Sequence, residues 1–199
     1  MNETAKAILA CLLGLLGALA VAACSADPGE PPLKGAAIGG PFELTDQDGR
    51  KVTERDFAGR YRIMYFGFTH CPDVCPTDLA IIGQALRRFE KDDPKRSARV
   101  VPIFVTIDPE RDTPAAIKDY VAAFHPRLVG LTGTPQQVAD AARRYGIYYG
   151  KEAPGPGGGY NVNHSRLAEL IGPEGQPIAL LPYDKGAEAV AAELERWVR

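Results

Sequence analysis

The sequence predicts an α/β protein, a mixed central sheet with helices on both faces and an inserted hairpin. Three observations carry this expectation. Residues 63–68 and 100–107 are near-continuous apolar runs, as expected of strands covered on both sides. Stretches whose apolar residues recur at helical spacing alternate with them. A turn signal, Gly172-Pro173-Glu174-Gly175, then joins two more apolar runs into a hairpin.

In chain order, residues 42–44 and 52–53 flank Asp46-Gln47-Asp48-Gly49, which predicts a small hairpin. Ile63-Met64-Tyr65-Phe66-Gly67-Phe68 is the first buried strand. A helix is expected over 77–91, because Leu79, Ile82, Leu86 and Phe89 share one face while Arg87, Arg88, Glu90 and Lys91 stay polar. Pro94 closes it. The second buried strand contains Pro102, tolerable near a strand's start. Thr113-Pro114 opens the next helix with a capping hydroxyl and a first-turn proline, and Ile117, Tyr120, Val121 and Phe124 keep its period. A short strand near 128–131 precedes a helix over 135–145. The C-terminal hairpin pairs 167–171 with 178–181. A closing helix over 187–198 turns Val190, Leu194 and Val198 inward. The only low-complexity patch is the Gly/Pro-rich stretch 154–159.

Composition bounds the function. Hydrophobic residues make up 45% and charged residues 24%, enough apolar content for a proper core. A net charge of -2 with no basic stripe argues against a nucleic-acid partner.

The N-terminus reads as a leader. Residues 7–23 are apolar or small, follow Lys6, and end in Val21-Ala22-Ala23-Cys24. This run is short for a bilayer crossing, and its end resembles the lipobox of bacterial lipoproteins. On that reading residues 1–23 are a lipoprotein-type signal peptide and Cys24 is the lipid-bearing first residue of the mature chain. Residues 24–40, rich in Pro and Gly, form a flexible tether to a folded domain over 41–199. The domain then stands outside the cytoplasm, in a bacterial cell envelope, held to the membrane by its N-terminal lipid. An uncleaved transmembrane anchor is the alternative.

Of the four cysteines, Cys11 and Cys24 lie in the leader, leaving Cys71 and Cys75 in the folded part. A disulfide-stapled secreted domain would spread more cysteines along the chain. The pair sits in Phe66-Gly67-Phe68-Thr69-His70-Cys71-Pro72-Asp73-Val74-Cys75-Pro76, where a buried strand hands over to a helix. Cys75 falls at or beside the helix N-terminus, where the dipole favours thiolate. If the turn is helical, residues four apart rise about 6 Å along one face, so both sulfurs can meet one metal ion or each other. Two thiolates and one imidazole suit copper, whereas a structural zinc site takes four protein ligands. Of three histidines, His70 adjoins Cys71 and would have to fold back. His125 follows a helix like a surface cap. His164 follows the Gly/Pro-rich patch.

From about residue 38 onward the sequence resembles the Sco/SenC family of copper chaperones. Three separated motifs carry the likeness: residues 66–76, then Thr106-Ile107-Asp108-Pro109-Glu110-Arg111-Asp112-Thr113-Pro114, then Val162-Asn163-His164-Ser165. The resemblance implies a thioredoxin-like fold and copper, as Cu(I) or Cu(II), held by Cys71, Cys75 and His164. It further implies delivery to the CuA centre of cytochrome c oxidase subunit II, with copper-donor and thiol-reductant proteins as further partners. Many relatives carry Asp before the histidine; here it is Asn163, which removes a charge but no ligand. Asp108 and Asp112 read as structural posts beside a proline and a helix cap. Asp73 reads as a turn former. A role for Asp108 or Asp73 in supporting the ligands or contacting a partner stands beside those readings.

A second function class is a thiol–disulfide oxidoreductase, since a thioredoxin places its dithiol at the same kind of junction. Three residues separate these cysteines, not two, and a reductase has no need of His164. A peroxiredoxin-type peroxidase fails on the missing Pro-x-x-x-Thr-x-x-Cys pattern.

Overall fold

The computed structural model describes residues 29–154 and 159–199. The expected signal peptide, Cys24 and positions 155–158 of the Gly/Pro-rich patch lie outside the described residues. Among the described residues nine strands form: β1 (Glu43–Asp46), β2 (Lys51–Thr53), β3 (Tyr61–Gly67), β4 (Val100–Thr106), β5 (Val129–Thr132), β6 (Tyr149–Lys151), β7 (Val162–His164), β8 (Ala168–Ile171) and β9 (Pro177–Leu180). The α-helices are α1 (Val74–Asp92), α2 (Pro94–Ser97), α3 (Pro114–Ala122), α4 (Pro135–Arg144) and α5 (Ala187–Trp197).

Seven strands make one mixed sheet in the order β2-β1-β5-β4-β3-β8-β9. The central three, β3, β4 and β5, run parallel, and the flanking pairings are antiparallel. Every residue of β3 and β4 is buried, as their unbroken apolar runs require. Pro102 pairs with Ile63 of β3, while the ladder to β5 begins one residue later, at Ile103 with Val129. Its missing N–H therefore costs β5 nothing.

Successive strand residues point to opposite faces, and β3 shows both being covered. The Tyr65 hydroxyl donates to Asp78 on α1 at 2.9 Å, whereas the Phe66 ring packs 5.6 Å from Tyr145, which ends α4. Thr113 and Thr134 cap α3 and α4 with their hydroxyls, each followed by proline.

Four expectations need correction. α1 begins at Val74, not near 77, so Cys75 lies within its first turn. Pro76 is still in that turn, where a missing N–H is harmless. From Leu33 on, the expected tether is docked: the Leu33 N–H donates to the Ile178 carbonyl of β9 and the Gly39 N–H to the Arg144 carbonyl. His125 is not a surface cap but only 2% exposed, with its Nδ1 accepting from the Arg127 N–H. Finally, β6 and β7 pair antiparallel as a separate two-stranded sheet, Tyr149 opposite His164, where no strands were expected.

Inside the main sheet β8 carries a fully buried Glu169, opposite Met64 and Leu180. Neither of its oxygens has a hydrogen-bond partner among the described residues, and burial pushes the carboxyl up to about 8. A folded-state value above the unfolded one means the native protein keeps a proton that the unfolded chain releases. The associated stability is fully present below about pH 4 and is lost as pH rises towards 8, at up to about 1.4 kcal/mol per pH unit. Glu169→Gln should therefore raise the urea midpoint at pH 8 and flatten its decline between pH 5 and pH 8. Parallel pH profiles for the two proteins would contradict this.

Candidate metal centre

The site is built at the carboxyl end of β3. Beyond Gly67 the chain turns through Phe68-Thr69-His70-Cys71 before entering α1. The turn is pinned from the neighbouring strand: Asp112, buried between β4 and α3, accepts from the Thr69 N–H at 3.0 Å, the Thr69 hydroxyl at 2.6 Å and the Thr106 hydroxyl at 2.6 Å. His70 is held on the same carboxylate, 3.4 Å away and half exposed.

Both thiols are free, Cys71 half-buried and Cys75 fully buried. The Cys75 N–H points at the Cys71 sulfur, 3.4 Å away, a donor that the first helical turn leaves unused. A Cβ at Gly67 would lie 3.0 Å from the Cys75 sulfur, so the glycine keeps room for it. Burial pushes the Cys75 thiol up to about 12, outweighing the Phe68 N–H aimed at the sulfur and the helix terminus invoked from sequence. Binding of a soft cation would displace that proton to solvent, since a metal-bound thiol is deprotonated.

His164, at the end of β7, brings its Nε2 to 3.4 Å from the Cys75 sulfur. Its Nδ1 lies 2.9 Å from the Ser165 carbonyl; donation there fixes the tautomer with the Nε2 lone pair facing the sulfur. Burial lowers the imidazole pKa, and the Phe68 ring meets it edge-on at 6.1 Å, so it stands neutral. Cys75 and His164 are thus together, with Cys71 joined to them through the Cys75 N–H. Among the described residues no three His, Cys, Asp or Glu side chains are gathered tightly enough to enclose an ion as they stand.

Of the carboxylates named from sequence, Asp73 is exposed at the start of α1, and only its carbonyl is engaged there, by the Thr77 hydroxyl. Asp108 is fully buried and accepts from Arg111 and, at 2.7 Å, from the Tyr160 hydroxyl. Arg111 stacks 3.8 Å over the Tyr160 ring and donates to the Tyr160 carbonyl, fastening the chain just before β7. Sequence reasoning missed Tyr160, Asp78 and Arg166. Their types are ordinary, and only the tertiary fold brings them together.

A dithiol at a strand-to-helix junction of a thioredoxin-like sheet, faced by a histidine from a separate small ladder, defines a class of metal-binding or redox thioredoxin-like domains. The SCO1/SenC family pattern matches residues 30–199, and the chain belongs to that family. It is 42% identical over 165 residues to the human mitochondrial protein SCO1 homolog, covering 81% of this chain and 53% of the human one. The chain spans about half the length of the curated relatives it matches. The copper-bound structure of Bradyrhizobium japonicum ScoI superimposes with a TM-score of 0.73 at 41% identity, covering 80% of this chain and 99% of that one. The thioredoxin domain of a Bacteroides vulgatus thiol-disulfide oxidoreductase, 17% identical, shares the fold at a TM-score of 0.56, with coverages of 83% and 98%.

The Asp112 anchor yields a direct expectation. Asp112→Asn keeps the shape but weakens charge-assisted bonds to Thr69 and Thr106, and should cost about 2 kcal/mol of stability in urea denaturation of the reduced protein. An unchanged midpoint would show that Asp112 does not hold the cysteine turn.

Proposed function

We propose that this domain is a copper carrier: Cys71, Cys75 and His164 bind one copper ion, as Cu(I) or Cu(II), and hand it to the CuA site of cytochrome c oxidase subunit II. The observation that carries the reading is the 3.4 Å approach of the His164 Nε2 lone pair to the Cys75 sulfur. A reductase has no use for it. The donor set fits copper, since thiolate and imidazole are the soft and intermediate ligands that copper prefers. A structural zinc site would call for four protein ligands. Three ligands also suit a carrier, because an incoming thiol can attack the ion without first displacing a fourth. The Sco family is one of cytochrome c oxidase assembly proteins.

The same reading makes Cys24 the lipid anchor that keeps the domain beside a membrane-bound acceptor. Among the described residues no helix is long and apolar enough to cross a membrane. Copper-donor and thiol-reductant proteins complete the cycle, because outside the cytoplasm the pair drifts to a disulfide that must be reduced before it holds metal.

A second reading is favoured by the unequal exposure of the two free thiols, Cys71 open and Cys75 buried. That is the arrangement of an attacking and a resolving thiol. The pair would reduce a disulfide on the acceptor, two thiols here becoming a disulfide while the target's disulfide becomes two thiols.

Anaerobic copper titration of the reduced whole chain separates the two. Wild type should take one copper per chain, and His164→Ala should lose at least about tenfold in affinity, 1.4 kcal/mol, while still reducing a disulfide substrate. Unchanged stoichiometry, affinity and spectrum in His164→Ala would overturn the carrier assignment.

A further inference from the structure

The histidine arm is weakly held by its own ladder. β6 and β7 are three residues each, and a lone two-stranded pair is marginal in water. Something else must keep the imidazole against Cys75.

The Asp78 carboxylate, 2% exposed, sits on α1 three residues after Cys75, about one helical turn further on. Arg166 sits two residues after His164. Its guanidinium grips Asp78 with a fork: Nη2 donates to Oδ1 at 2.8 Å and Nε to Oδ2 at 3.2 Å. The Tyr65 hydroxyl of β3 donates to the same Oδ2 at 2.9 Å. The Arg166 backbone is fixed independently, its carbonyl accepting from the Tyr183 hydroxyl, while the guanidinium lies 5.8 Å over the Tyr183 ring. Two contacts therefore bridge the same two segments side by side, Cys75 to His164 and Asp78 to Arg166. A 3.4 Å sulfur–imidazole approach is weak without a metal, whereas the forked pair, with Asp78 buried and Arg166 about half exposed, fastens the exit from β7 as Tyr160 fastens its entry.

We propose that the Asp78–Arg166 ion pair is the positioning element that holds the His164 imidazole at Cys75 before copper arrives, an inference that rests on reading Cys71, Cys75 and His164 as the ligands. The pair touches no metal. It lowers the ordering cost of the third ligand, so affinity depends on it even though the donor set does not change.

The test uses wild type, Arg166→Leu and the double variant Asp78→Asn/Arg166→Leu as whole chains. Three quantities are read: the imidazole nitrogen resonances of His164 in the metal-free protein, Cu(I) affinity by chelator competition, and melting temperature. In Arg166→Leu the His164 resonances should move towards those of a solvent-exposed histidine, and Cu(I) affinity should fall about tenfold with one copper still bound. The double variant, which no longer buries a carboxylate without its cation, should recover melting temperature but neither the resonances nor the affinity. Unchanged resonances and affinity in Arg166→Leu would overturn the proposal. So would their recovery along with melting temperature in the double variant, which would mark the pair as structural only. Failure of the copper reading is separate: it would appear as His164-independent binding in the wild-type background, while the resonances still report on positioning.

Discussion

The structure turns on one convergence: a sulfur and an imidazole nitrogen, 89 residues apart in the chain, brought within 3.4 Å. Cys75 reaches that point because a short turn carries the chain from the end of β3 into α1, putting the thiol in the first helical turn beyond a fully buried strand. His164 reaches it from the other direction, on a short ladder outside the main sheet. No local preference of the chain sets the separation. It is set by the sheet that fixes where β3 ends and where β8 begins.

Three buried carboxylates surround that convergence, and each ties a different segment. Asp112 holds the cysteine turn through Thr69. Asp108 holds the approach to β7 through Tyr160 and Arg111. Asp78 holds the exit from β7 through Arg166. A buried carboxylate is costly unless its partners are in place, so each of these posts enforces one arrangement of its segment. The apolar core alone would leave these loops free to slide. The contrast with Glu169 is instructive: it is equally buried but without a partner among the described residues, and it is driven towards its neutral form instead.

Much of this was legible from sequence. The parallel strands announce themselves because burial on both faces demands apolar runs, and Thr113-Pro114 marks the start of α3 by a local capping rule. The dithiol and its histidine were legible through residue chemistry and the family likeness. The start of α1 was misplaced because the cysteine motif itself forms the first turn, and Asp73 supplies no side-chain cap to signal it. β6 and β7 were invisible for a different reason. Strands of three residues, one with Gly150 in its middle, carry no period, and their pairing is a tertiary event. The same holds for His125, which has the neighbours of a surface residue in sequence and is nonetheless buried beside Glu90. Asp108 and Asp112 read as structural posts beside a proline and a helix cap because those neighbours are local, whereas their reach to Tyr160 and Thr69 is not.

X-ray absorption on the copper-loaded protein addresses the central claim most directly, because it counts the atoms around the ion. Two sulfur scatterers and one imidazole nitrogen are expected in wild type, with the imidazole contribution alone vanishing in His164→Ala. A shell of sulfur only, or one that His164→Ala leaves unaltered, would contradict the account.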